Sequence, residues 1–118
     1  MKKILIADDA VFMRMMLRDL LTQHGFTIAG EAENGQEAVE LFDELKPDLL
    51  IIDILMPIMD GLTAVEKILR KHPDAKIAMI TAMGQRTYID RAKEIGVKTF
   101  ITKPFSPQAV IDKLNSIF

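Results

Sequence analysis

The chain has 118 residues, 49% apolar and 27% charged, with a formal net charge of −2 and no cysteine. That size suits one domain, 1–118, with a sizeable core. Disulfides, thiolate chemistry and zinc–thiolate sites are excluded. No Lys/Arg face is clustered as a nucleic-acid surface requires, and no apolar run approaches the roughly 20 residues that span a bilayer.

The opening "MKKILIA" starts like a secretory signal, but its apolar run is short and an acidic pair ends it. A cytoplasmic protein is expected. Residues 4–7 are apolar without alternation, as in a strand covered on both faces. Asp8 and Asp9 follow. Next comes helical spacing, with Met13, Met16, Leu17, Leu20 and Leu21 on one face and Arg14, Arg18 and Asp19 opposite. A second strand, 26–32, leads to Asn34, which has Glu37 at capping-box spacing. The helix there turns Ala38, Leu41, Phe42 and Leu45 inward and Glu37, Glu40 and Glu44 outward.

The third strand, 49–53, ends on a carboxylate, Asp53, and a loop follows with a proline and Asp60-Gly61. Leu62, Val65, Ile68 and Leu69 mark the third helix. A fourth strand, 76–80, runs into Thr81. The pattern over 85–95 is the weakest, with Tyr88, Ile89, Ala92 and Ile95. The fifth strand, 97–101, precedes Thr102-Lys103-Pro104. Ser106 as N-cap and Pro107 at the first helical position then open a helix with Val110, Ile111, Leu114 and Ile117 inward. The eight methionines, Met13, Met15 and Met16 among them, read mostly as adaptable core filler. His24 and His72 stand near helix C-termini, where imidazolium suits the helix dipole.

Strand–helix alternation means parallel strands, right-handed crossovers and helices on both faces, a three-layer α/β sandwich. In such a sheet, ligands bind beyond the carboxyl ends of the strands. Asp8, Asp9, Asp53, Thr81 and Lys103 all stand there. Each alone reads as a cap, a turn residue or a solvated lysine; all five at the correct strand ends are far more specific. Three convergent carboxylates repel and hold their protons unless positive charge lies between them. A hard cation such as Mg2+, or Lys103, supplies that charge. A carboxylate beside both is equipped to attack a phosphoryl group.

The motifs "LIADDA" (5–10), "IIDILMPIMDG" (51–61), "ITA" (80–82) and "TKPF" (102–105) run in order along the whole chain. Together they resemble the response-regulator receiver domain. "DDAVFMRMMLRDLL" (8–21) further resembles the CheY-like chemotaxis receivers. The resemblance implies a flavodoxin-like fold, a five-stranded parallel sheet in the order 2-1-3-4-5. It implies that Asp53 accepts phosphate from a sensor histidine kinase of chemotaxis type. Mg2+ would be held by Asp9, Asp53 and the backbone carbonyl of Leu55, with Asp8 acting through bound water. Lys103 would pair with the phosphoryl group, Thr81 would donate its hydroxyl to it, and Phe100 would be the aromatic switch. A cis Lys103–Pro104 bond is also implied.

The implied protein is a monomeric phosphoacceptor of two-component signalling rather than an enzyme, although it assists its own phosphorylation and dephosphorylation. Its partners would be the kinase, the flagellar motor switch protein and, as a further candidate, a phosphatase; neither nucleic acid nor membrane is expected. Leu55 and Met83 are apolar beside the path of hydrolytic water, which predicts a slow loss of phosphate.

A phosphorelay intermediate, or a receiver excised from a larger regulator, would carry the same site. An aspartyl phosphohydrolase would want a second acid two residues after the nucleophile, where Leu55 stands. A flavin-binding module would want a phosphate loop after the first strand, where the acidic pair stands and repels phosphate.

Overall fold

The computed structural model describes residues 1–118. Its elements alternate in chain order as β1 (Lys3–Ala7), α1 (Val11–Gln23), β2 (Thr27–Ala32), α2 (Gly35–Leu45), β3 (Leu49–Ile52), α3 (Gly61–Lys71), β4 (Ile77–Thr81), α4 (Arg86–Glu94), β5 (Thr99–Thr102) and α5 (Pro107–Ile117). All five strands are parallel, in the order β2-β1-β3-β4-β5. β1, β3 and β4 lie inside the sheet. Residues 4–7, 49–52 and 77–81 are therefore all buried, which explains why these strands are apolar without alternation. The edge strands β2 and β5 are only partly covered.

Two cores sandwich the sheet. On one face Leu17 and Leu21 of α1 and Val110, Ile111 and Leu114 of α5 pack on Ile4, Ile6, Ile51 and Ile80. On the other, Phe42, Val65 and Ile68 of α2 and α3 pack on Leu5, Leu50, Ile52 and Met79. Each such large side chain stabilises the fold by about 1.5–3 kcal/mol. The strand ends, and the polar residues on them, are thus held by rigid neighbours. No helix is long and apolar enough to cross a membrane.

Local signals act as the sequence predicts in α2 and α5. The Asn34 side chain accepts from the Glu37 N–H at 2.8 Å. The Glu37 carboxylate accepts from the N–H of Glu33 at 2.9 Å, one residue before the position a standard capping box uses. Ser106 Oγ accepts from the Ala109 N–H at 3.1 Å, with Pro107 opening the helix. α4 has one buried residue, Ala92, and no side-chain cap at Gln85, in line with its weak pattern.

Three expectations are corrected. β3 stops at Ile52, because the Asp53 carboxylate bonds the N–H groups that follow it and ends the regular run. Arg14 is not on the outer face of α1. The buried stripe is Arg14, Leu17 and Leu21, because carboxylate and carbonyl oxygens at the ends of β2 and β1 offer the guanidinium partners there. The same rotation leaves Met15 and Met16 exposed rather than in the core, and Met56 and Met79 are the buried methionines.

Candidate functional site

The carboxyl edge of the sheet gathers what the sequence places after each strand. Asp8 follows β1, Asp53 follows β3, Thr81 closes β4, and Lys103 follows β5. Asp8 and Asp53 are buried, at 3% and 7% exposure. Lys103 Nζ donates to Asp8 Oδ2 and to Asp53 Oδ2, both at 2.8 Å. Residues 50 and 95 positions apart thus meet on one ammonium. The other oxygen of Asp53 accepts from the Ile54 N–H at 2.6 Å, with the Leu55 N–H farther off at 3.4 Å. That of Asp8 accepts from the Ala10 N–H at 2.9 Å. The Lys103–Pro104 bond is cis, as the resemblance implies.

Burial pushes the Asp8 carboxyl upward from its ordinary 3.8, and the bonds from Lys103 and Ala10 do not cancel that push. For Lys103 burial works against the charge, yet the bonds to Asp53 and Asp8 outweigh it and hold the ammonium above 10.5. The two directions have a common origin. Two buried carboxylates share one ammonium, so one negative charge is left over.

Asp9 is exposed and bonds to no other residue, beside this cluster in the chain. The Leu55 side chain is exposed, and its carbonyl accepts no hydrogen bond from the chain. Thr81 is fully buried. Its hydroxyl accepts from the Met83 N–H at 3.1 Å, and its carbonyl accepts from the Lys103 N–H at 2.8 Å. In the β4–β5 register Met79 faces Phe100 and Thr81 faces Thr102. Residues two apart share a face, so Thr81 and Phe100 lie on one side of the sheet, and Phe100 packs there on the core shared with α2 and α3. A groove of about 840 Å³ lies at the amino ends of β4 and β5, lined by Leu69, Ile77, Ile95 and Ile117 among others.

Sequence reasoning missed Arg14. Its guanidinium donates to the Asp8 carbonyl at 2.6 Å and to Glu31 at 3.2 Å, with Glu33 at the 3.5 Å limit. Glu31 and Glu33 are 17 and 19 residues away in the chain, so no local spacing signals the contact.

A model of the response regulator receiver domain matches residues 4–115. The chain belongs to the response regulator receiver domain family. This receiver domain is 50% identical to the chemotaxis protein CheY of Thermotoga maritima, over 98% of its own length and 97% of that protein. It is 48% identical to the CheY of Bacillus subtilis, over 96% and 94% of the two chains. Among solved structures, a chain of the CheX–CheY–BeF3–Mg2+ complex from Borrelia burgdorferi matches it with a TM-score of 0.97. Identity there is 34%, over 99% of this chain and 89% of that one. Its strand order and five helices are those of the flavodoxin-like receiver fold.

The donor set of this receiver domain fits Mg2+. Its oxygens are hard, one negative charge is uncompensated, and the Leu55 carbonyl is free of internal bonds. No three acidic or histidine side chains form a finished cage. Mg2+ does not require one, because it typically takes one or two carboxylates and keeps several waters.

Proposed function

We propose that this receiver domain, as one unit over 1–118, is a cytoplasmic and monomeric response regulator of chemotaxis. Asp53 is its phosphoacceptor and the histidine of a sensor kinase the donor. Asp9, Asp53 and the Leu55 carbonyl would hold Mg2+, with Asp8 acting through water. The phosphorylated form signals to the flagellar motor switch protein, and a phosphatase resets it. The observation that carries the reading is the Lys103 ammonium bridging Asp8 and Asp53 at the carboxyl edge. The similarity to two proteins named CheY supports the chemotaxis assignment.

In the proposed reaction an Asp53 oxygen attacks the phosphorus of a phosphohistidine. The P–N bond breaks, the imidazole leaves with its electron pair, and an acyl phosphate forms. Lys103 transfers its hydrogen bonds to the phosphoryl oxygens, and Thr81 turns its hydroxyl toward them. Mg2+ held there would supply charge to offset that on the transferring oxygens. The acceptor gains a group carrying about −1.5 to −2 charge.

The test is incubation with acetyl phosphate and Mg2+, read by intact mass. Wild type should gain one phosphate and Asp53→Asn none, because an amide is a poor nucleophile. A full adduct on Asp53→Asn would place the acceptor elsewhere. Wild type that takes up phosphate but binds a motor-switch peptide no tighter afterwards would reject the output assignment.

A further inference from the structure

Arg14 is the only buried basic residue in the chain. It makes no contact with the carboxylates of Asp8 or Asp53. Instead its three nitrogens tie together three groups that the fold must hold in order. One is the backbone carbonyl of Asp8, at the start of the turn that carries Asp8 and Asp9. The others are Glu31 in β2 and Glu33 just after it. Arg18 adds a second bond to Glu31.

The turn has few other restraints. Its N–H at Asp8 donates to the Ala32 carbonyl at 3.1 Å, and Asp8 Oδ1 accepts from Ala10. The helix after it starts at an N-cap, Ala10, with no side-chain cap and no acidic residue in its first turn. The carbonyl bond from Arg14 therefore restrains the turn from its acceptor side, before a helix start that has no side-chain cap.

We infer that Arg14 is a positioning residue: it fixes the Asp8-Asp9 turn against the end of β2 so that the carboxylates reach one divalent cation together. The inference rests on the Mg2+ reading given above. Electrostatics alone makes the opposite prediction. Removing a positive charge near a cation site, and freeing Glu31 and Glu33, strengthens cation binding through space. Loss of the strut weakens it. The sign of the change therefore separates the two.

The experiment is calorimetric titration of Mg2+ into wild type, Arg14→Gln, Arg14→Lys and Glu31→Gln at fixed ionic strength, with Asp9→Asn as the control for the site. Arg14→Gln should bind Mg2+ about tenfold more weakly, the size expected when a group that orients metal ligands is lost. Arg14→Lys should also bind weakly, because an ammonium cannot span carbonyl and carboxylate as the guanidinium fork does. Glu31→Gln keeps Arg14 but loosens its anchor, and should weaken binding by roughly threefold, below the range for a direct orienting contact.

Unchanged or tighter Mg2+ binding in Arg14→Gln overturns the inference, and so does wild-type affinity in Arg14→Lys. If circular dichroism shows that Arg14→Gln does not fold, Arg14→Lys decides, because it keeps the positive charge and loses only the fork, and wild-type affinity there overturns the inference. Wild type that takes up no Mg2+, or Asp9→Asn that binds as wild type does, overturns the metal reading itself, and this inference with it.

Discussion

The Asp8 carboxylate is held in a place that does not suit its charge. Asp8 and Asp53 are both buried and share one ammonium. Stability rises with pH only where the unfolded chain binds more protons. For Asp8 the folded value is raised above 3.8, so the folded chain binds the proton more tightly. Its contribution to stability is fully present below pH 3.8 and is lost as pH rises through the folded value. At neutral pH the ionised group is a net cost. Lys103 is raised too, and its contribution is fully present below pH 10.5 and lost only above that, through its folded value. Asp8→Asn should therefore stabilise the protein at pH 7 by about 1 kcal/mol, as relief of a strained functional group commonly does. The gain should shrink as pH is lowered toward 3.8. Urea unfolding at pH 7 and pH 4 measures both, and an Asn variant less stable than wild type at pH 7 defeats this account.

At the scale of the element, the segment between β3 and α3 shows how a turn fixes the backbone of Asp53. Asp60 caps α3 through the Thr63 N–H at 2.9 Å. Gly61 follows, and its N–H donates to the Ile54 carbonyl at 2.7 Å. A Cβ at Gly61 would lie 1.9 Å from the Asp53 carbonyl oxygen and 2.8 Å from its carbon. The nearest atoms are all backbone of Asp53 and Ile54, so no flexible side-chain tip can yield. The Asp-Gly pair is thus required by close approach rather than by an unusual dihedral. Gly61→Ala should cost about 3 kcal/mol, the upper end for overpacking, and should shift the Asp53 backbone with it. Denaturant unfolding gives the first quantity, and acetyl phosphate labelling of the folded fraction reports the second. A loss below 1 kcal/mol with wild-type labelling would falsify the close-approach reading.

The whole molecule connects this rim to a distant face through two strands. β4 carries Thr81 and β5 carries Phe100, on the same side of the sheet. α4 beside them has one buried residue and an uncapped start, so little holds it in a single arrangement. A phosphoryl group on Asp53 that draws the Thr81 hydroxyl away from the Met83 N–H would open space for Phe100 to turn inward. Phe100 lacks a hydroxyl, so packing alone sets its rotamer, and a gap of a few kcal/mol between the two states suits a switch. Thr81→Ala should still accept phosphate on Asp53. Its affinity for a motor-switch peptide after phosphorylation should match that of the unphosphorylated protein. If the phosphorylated variant binds as tightly as phosphorylated wild type, Thr81 and Phe100 are not coupled.

By itself, the sequence determined the alternation, the layers and the edge at which the chemistry stands. These follow from local physics: consecutive apolar residues mark strands with two covered faces, and Ser106-Pro107 and Asn34 with Glu37 mark helix starts. The strand order came from the likeness of four motifs to a known family, because local patterns do not say which strands are neighbours. Asp8, Asp53, Thr81 and Lys103 were legible as residues of one sheet edge because each stands just after an apolar run or at its end. Only the tertiary structure decided that one ammonium holds both buried carboxylates, which leaves a charge uncompensated. It alone buried Arg14 and exposed Met15 and Met16, against the order of hydrophobicity. The reason in each case is the same. A partner such as Glu31, 17 residues from Arg14, or Asp8, 95 residues from Lys103, is brought near by the fold alone, and a buried charge is tolerated only where such a partner waits.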